Sequence, residues 1–381
     1  MADIQVYFDN AATTKPRKEA VEAFSQASEQ LYANPNSAHA PGFAAERMLD
    51  GCRAKIADLM SANCEVVFTS SGSAANSLAI LGAAASLGAK PRKCRVISSL
   101  AEHSSVRSTC KYLESIGHEV VYLTLDQEGR LTLRDLEAAL DEHAALVTLM
   151  HVNNETGVIS DIEAIHNIVK GRSPRSILHT DSAAGFGKHS LDMRYADVLT
   201  FASHKIGGPK GVGGMCVTTS LASSFDAQEG VVGMLRQGTP DLPAIAAFIK
   251  AAEIAFENMP RSARHAARIK EYIAEQTQGM ERAINGGGSV SPYILNMSFA
   301  GVAAETLINR LSSRGVYVAA GSSCNSRKAD RNILRHYGLA RERIEGSVRL
   351  SFSDNNTMAE AACFVDEVGA ALRLLRKFSK R

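Results

Sequence analysis

Apolar residues along this chain fall into short runs: "CRVISS" (94–99), "EVVYLTL" (119–125), "ALVTLMHV" (145–152), "SILHTD" (176–181), "DVLTFAS" (197–203) and "GGMCVTT" (213–219). Runs of this length, rich in β-branched residues and bounded by turn residues, predict buried strands. The stretches between them carry helical spacing. That alternation predicts an α/β domain with a largely parallel sheet covered by helices. From about Ala244 the pattern turns long and helical, "AAFIKAAEIAFENMPRSARHAARIKEYIAEQ", and then gives way to "SPYILNMSF", "GVYVAAG" and "SVRLSF". This reads as a connecting helix leading into a smaller α+β domain. The expected division is a large domain over 12–255 and a small one made of 1–11 and 256–381. The helix after "PRKEAVEAF" is expected to pack on the smaller domain or at the junction. No internal repeats or low-complexity linkers interrupt the pattern.

At 381 residues the chain has room for one large domain and a smaller one. Lys and Arg total 42 against 40 Asp and Glu, a formal net charge of +2, so no global field favours nucleic acid or an anionic membrane. The basic run from Arg373 to Arg381 reads as a solvated tail. No stretch approaches the length of an apolar membrane span, and "MADIQVYFDN" lacks the charged and apolar regions of a signal peptide. The expectation is a cytoplasmic protein with no nucleic-acid or membrane partner. Its seven cysteines are widely spaced and include no C-x-x-C pair, so neither a disulfide framework nor a zinc site is expected. Five lie in or next to apolar runs, where a small buried thiol is the ordinary reading.

Open parallel sheets bind ligands at the carboxyl ends of their strands, and polar residues collect there. Asp181 closes "SILHTD"; His151, Asn153, Asn154 and Glu155 follow another run; Glu102 and His103 follow a third; and Lys205 sits in "FASHKIGGPKG". "FTSSGSAANSLAI" places Ser70, Ser71 and Ser73 ahead of a helix, a start suited to an anion such as phosphate. Taken singly, each has a plainer explanation as a cap, a turn or a structural histidine. Together, a phosphate cradle, a strand-end aspartate, a histidine and a lysine are the parts that hold pyridoxal 5′-phosphate.

"YFDNAATTKP", "ANPNSAH", "FTSSGSAAN", "AEHSSV", "HVNNETG", "HTDSAA", "SHKIGGPKGVGG", "RQGTPD", "GSSCNS" and "VRLSFS" resemble, in order, the motifs of fold-type I, class V pyridoxal-phosphate enzymes, and more narrowly the cysteine desulfurases of the NifS/IscS group. The resemblance runs from Tyr7 to Thr357. It implies a mostly parallel, seven-stranded type of sheet. It makes Lys205 the Schiff-base lysine, Asp181 the pyridinium partner and His103 the ring stacked on the cofactor. Asn154 would bond the phenolic oxygen. Gly72, Ser73, Ser203 and His204 would bind the phosphate, with Thr239 reaching the cofactor of a neighbouring subunit in a homodimer. Arg349, assisted by Asn34, would take the carboxylate of L-cysteine. Cys324 would receive the sulfur as a persulfide, leaving L-alanine, and pass it to an acceptor protein for iron–sulfur cluster assembly or tRNA thiolation. Lys205 and His103 would also move protons.

Three places depart from the pattern. Ala184 stands where the group has a glutamine donor to the phenolic oxygen. Ala202 stands where it has a serine donor to the phosphate. In the cradle, Ser71 precedes Gly72 and Ala74 follows Ser73. These departures keep two further readings open: a class V enzyme with other amino-acid chemistry, such as a selenocysteine lyase, aminotransferase or racemase, and a desulfurase-like scaffold that binds a partner and turns over little.

Overall fold

The computed structural model describes residues 5–87, 93–141, 145–226, 238–320 and 333–379. Within them the six apolar runs form strands β3 (Arg95–Ser99), β4 (Glu119–Leu123), β5 (Ala145–Met150), β6 (Ile177–Asp181), β7 (Val198–Ala202) and β8 (Gly213–Thr218). Strands β1 (Val6–Tyr7) and β2 (Cys64–Thr69) precede them. One seven-stranded sheet has the order β2-β8-β7-β6-β5-β3-β4. Pairings from β7 through β4 are parallel, whereas β8 runs antiparallel to both β2 and β7. Every residue of β5, β6 and β7 is buried. Helices cover both faces of a parallel sheet, which is why these strands read as unbroken apolar runs rather than as alternations.

Helix α1 (Lys18–Gln30) and helix α2 (Ala40–Leu59) come before the sheet. Helix α3 (Gly72–Leu87) follows β2 and is buried along most of its length, with Ala75, Ala79, Ala83 and Ala84 letting it lie close against the strands. Helix α4 (Ser104–Ser115) follows β3. The closest approach is at the start of β8. A Cβ built on Gly213 would sit 2.3 Å from the carbonyl carbon of Ser71 and 2.4 Å from the amide nitrogen of Gly72. No side chain fits there, so the glycine is what lets the entrance of α3 rest on the sheet.

Beyond the sheet, the helix Leu242–Gln276 begins where the Asp241 side chain accepts from the Ala244 amide at 3.0 Å. Its first half enters the core of the large sheet through Ile245, Phe248 and Ala252. Ala266, Ile269 and Ile273 in its second half belong to another core with Leu295, Leu350 and Phe364. Helix α1 packs on the first half, where Ala20 meets Ala247 and Ala251. The second core surrounds a four-stranded antiparallel sheet of β9 (Arg282–Asn285), β10 (Ile294–Phe299), β12 (Ala319–Ala320) and β13 (Ser347–Ser351), in the order β12-β13-β10-β9. Val6 and Phe8 join this core from the start of the chain, and β1 pairs in parallel with β11 (Val316–Tyr317).

Replacing Gly213 with valine should cost about 2–4 kcal/mol of folding stability, because the clash is with backbone and cannot be relieved by a rotamer change. Urea unfolding followed by circular dichroism checks this. A change under about 0.5 kcal/mol would mean the α3 entrance moves freely off the sheet.

Candidate active site

The carboxyl ends of β2, β3, β5, β6 and β7 share one edge of the sheet, and the loops leaving them enclose a cavity of about 370 Å³. Gly72, Ser73, His103, Asn154, Asp181, His204, Lys205 and Arg349 all line it. Eight residues separated in sequence by up to hundreds of positions thus face one space. Ser203 is fully buried and outside this lining, its hydroxyl against Gly208 and without a hydrogen-bond partner. Asn34 and Thr239 are also outside it. They stand together, with Asn34 Nδ2 3.4 Å from Thr239 Oγ1, and Thr239 lines a different cavity beside Ser70. Cys324 lies outside the described residues.

Asp181 ends β6 and is held from two sides. Its Oδ2 accepts from Asn76 Nδ2 at 2.7 Å and its Oδ1 from the Ala183 amide at 2.9 Å. Asn76 in turn accepts from the Thr200 hydroxyl and donates to Ser105 Oγ at 3.0 Å. Ser105 then bonds to His103: its amide donates to His103 Nδ1 at 3.2 Å and its hydroxyl lies 2.8 Å away. A backbone N–H can only donate, so Nδ1 accepts and the neutral imidazole carries its proton on Nε2. Burial is the main cause that lowers the His103 pKa. Lys205 and Arg107 add to it, and Asp181 opposes it. Part of the residue is exposed, yet burial, Lys205 and Arg107 together outweigh Asp181 and hold its pKa below the ordinary histidine value.

Glu102, beside His103, turns inward and is 4% exposed. Its Oε1 accepts from the Met150 amide at 2.9 Å and from Ser99 Oγ at 3.3 Å. Ladder pairing of β3 with β5 stops at Ile97 and Val147, so the carboxyl group takes over the job of joining these strand ends. Burial, with a smaller push from Asp181, raises its pKa to about 8.

Lys205 closes a single 3-10 turn, Ser203–Lys205, after β7. Its amine donates to the carbonyls of Ala11 and Ala12. Burial, then Arg349, lowers its pKa to about 8, against the pull of Asp181, Asp9 and Glu155. The neighbouring His204 is lowered to about 4 by burial, then by Lys205, Lys210 and Lys188, and its Nδ1 has no partner. Arg349, in β13, is 6% exposed. Its Nη2 is 2.7 Å from Asp9 Oδ1, its Nη1 donates to the Asn154 carbonyl at 3.0 Å, and its Nε is without a partner.

The donor set fits pyridoxal 5′-phosphate. Its phosphate would meet the first amides of α3, which have no intrahelical acceptor, together with Ser71, Ser73 and the unpartnered His204 Nδ1. Asp181 supplies an anion for the ring nitrogen and Lys205 an amine of lowered pKa. Ala184 and Ala202 both line the cavity, so the two departures seen in the sequence fall where the cofactor would lie. Ser71 Oγ accepts from the Ala74 amide at 3.1 Å, which leaves its own hydroxyl proton for a ligand.

Two residues that the motif reading passes over join this arrangement. Asn76 ends the "FTSSGSAAN" motif and points back from α3 at Asp181, a placement signalled only by its polarity on an otherwise apolar helix face. Asp9, in "YFDNAATTKP", meets Arg349 from the other end of the chain.

The sequence profile of the class-V aminotransferases matches residues 6–364. This chain belongs to that family. Its members depend on pyridoxal 5′-phosphate. Among similar proteins, "NifS/IcsS protein homolog" of Lactobacillus delbrueckii subsp. bulgaricus is 35% identical over 373 residues, 94% of this chain and 95% of its own. Cysteine desulfurase IscS of Vibrio vulnificus is 34% identical over 389 aligned positions, covering 99% of this chain and 95% of that protein. A solved NifS-like protein superposes with a TM-score of 0.87 at 29% identity, covering 98% of this chain and all of that one.

A lysine with a pKa near 8 is a better nucleophile at neutral pH than one at the ordinary value, because only the uncharged amine attacks a carbonyl. Stopped-flow absorbance of apoprotein mixed with pyridoxal 5′-phosphate should therefore show capture rising up to about pH 8 and levelling above it. Continued rise beyond pH 10 would contradict the lowered pKa.

Proposed function

We propose that this protein is a pyridoxal-phosphate-dependent cysteine desulfurase. Its overall reaction is L-cysteine plus an enzyme thiol giving L-alanine plus an enzyme persulfide. A C–S bond breaks, an S–S bond forms, and no outside oxidant is needed. The observation that carries this reading is the convergence of Lys205, Asp181, His103 and Arg349 on one cavity, in a chain about a third identical to a named cysteine desulfurase along nearly its whole length.

Bound pyridoxal 5′-phosphate supplies an electron sink that loosens bonds near the amino acid's α-carbon. The residues divide the remaining work. Lys205 holds the cofactor and, once its amine is free, moves protons. Asp181, fixed by Asn76, would pair with the ring nitrogen. His103 would stack on the ring, and the nitrogen of its neutral form that can take up a proton is Nδ1, beside the Ser105 hydroxyl. Asn154 would bond the phenolic oxygen. Gly72, Ser73 and His204 would hold the phosphate, with Ser203 buried in the adjoining turn. Arg349 grips the substrate carboxylate, a task suited to a planar fork of donors. Cys324 takes the sulfur as its thiolate and delivers it to an acceptor protein serving cluster assembly or tRNA thiolation.

The active unit in this reading is a homodimer. Asn34 and Thr239 stand away from the cavity of their own chain, as residues serving a neighbour would, and Thr239 would complete the partner's phosphate site. Tyr32, 80% exposed, and the half-exposed Phe43 flank Asn34 in sequence and offer apolar surface for such a contact. The domain division at residues 11 and 255 belongs to the same reading and is supported by the separate cores that the two halves of the long helix enter. A cytoplasmic setting suits the free thiols at Cys52, Cys64, Cys94, Cys110, Cys216 and Cys363.

Incubated with L-cysteine, cofactor and a reductant, the wild type should form alanine. Cys324→Ser should lose alanine formation by at least about 10²-fold while keeping the visible absorbance of bound cofactor. Lys205→Ala should lose both. Alanine release that survives in Cys324→Ser would point to another class V chemistry. A coloured but inactive wild type would make Ala184 and Ala202 the leading explanation and favour the scaffold reading.

A further inference from the structure

The segment from Tyr7 to Thr14 crosses between the two sheets and touches both cationic side chains of the cavity, Lys205 and Arg349. Backbone bonds fix it. The Ser351 amide donates to the Phe8 carbonyl at 2.8 Å, and the Ala11 amide donates to Ser351 Oγ at 2.8 Å. At the other end, Thr14 Oγ1 donates to the His204 carbonyl at 2.8 Å and accepts from the Gly207 amide at 2.8 Å. Running along β13 in this register, the segment brings the Asp9 carboxylate against Arg349 and the carbonyls of Ala11 and Ala12 against the Lys205 amine.

Arg349 is pinned at both terminal nitrogens. Asp9 takes Nη2 at 2.7 Å, while Nη1 donates to the Asn154 carbonyl and lies 3.7 Å from Glu155 Oε1. The Nε–H is left over. Buried donors almost always have partners, and Arg349 is more than nine-tenths buried yet lines the cavity. An unpaired donor in that position marks a place for an acceptor that arrives from outside. Asp9 accepts from Nη2 and makes no hydrogen bond with Nε. It also helps balance a buried guanidinium, whose desolvation is otherwise costly.

We propose that Asp9 is a positioning residue for substrate recognition: it orients Arg349 so that the unpartnered Nε–H is the donor left for the carboxylate of the amino-acid substrate. This rests on the desulfurase reading only for the identity of that amino acid. A long, unbranched side chain has many rotamers, and ordering them at the moment of binding weakens affinity. Asp9 and the Asn154 carbonyl order Arg349 beforehand. The position of Asp9 does not depend on its own side chain, because the segment is held by the backbone bonds of its neighbours.

The test is equilibrium binding, read from the change in cofactor absorbance of protein carrying Cys324→Ser, which blocks turnover. L-cysteine and L-cysteinamide, which lacks the carboxylate, are titrated with and without Asp9→Ala. Losing one charge-assisted support should weaken L-cysteine binding by about tenfold and leave L-cysteinamide unchanged. In an Arg349→Ala background, Asp9→Ala should then add nothing. Equal weakening of both ligands would reduce Asp9 to a general structural role, and tighter binding of L-cysteine would make it a competitor for Arg349. Either result overturns the proposal, as does no change. Should Asp9→Ala fold poorly by its melting temperature, Asp9→Asn removes the charge at nearly constant shape and should give a smaller shift of the same sign. Should L-cysteine not bind at all, the desulfurase reading fails separately, and a panel of amino acids and their amides takes its place. A wild type that prefers no carboxylate over its amide overturns the positioning role itself.

Discussion

Asn76 is the joint on which the site depends. One amide side chain on α3 reaches Asp181 at the end of β6, Thr200 in β7 and Ser105 at the start of α4. Each of these bonds is made in a buried or half-buried setting, where a satisfied network is stiff and a missing member leaves costly unpaired groups. Through Ser105 the same joint reaches His103, so the anion at the cavity floor and the ring at its side are set by one residue. The close approach of α3 to the sheet, permitted by Gly213 and Gly72, is what allows so short a side chain to span these elements.

Much of this was legible in the chain itself. The apolar runs announced the strands because a sheet covered on both faces has no polar alternation to confuse the pattern. Lys205, Asp181 and His103 stand out only as a set at strand ends, since each alone has a plainer explanation as a cap, a turn or a structural histidine. The run "GGMCVTT" gave no sign of its reversed direction, since apolar content says nothing about strand polarity. Asn76 and Asp9 escaped notice for a related reason. Their partners are 105 and 340 residues distant, and spacing rules see only neighbours. The resemblance makes Ser203 a phosphate donor, but in the tight turn after β7 its hydroxyl lies against Gly208, outside the cavity lining.

Charge is arranged with economy around the cavity. Arg349 lowers the pKa of Lys205, and Asp181, Asp9 and Glu155 temper that repulsion without cancelling it. The result is an amine whose pKa, about 8, lies well below that of an ordinary lysine. Burial supplies the larger share of this difference, which ties it to the closeness of packing rather than to any single ion pair.

The crossing segment has a consequence for how the protein comes into being. Asn10 and Ala11 leave the ribosome well before their partners Ser351 and Asn356, which lie 340 to 346 residues later. The strands of the large sheet are all made before Arg349, so the pairing that brings Asp9 to Arg349 must wait until that sheet has been synthesised. Contacts of such separation form late and slowly. A growing chain therefore passes through a stage in which the residues of the large sheet are present while Asp9 and Arg349 are still apart.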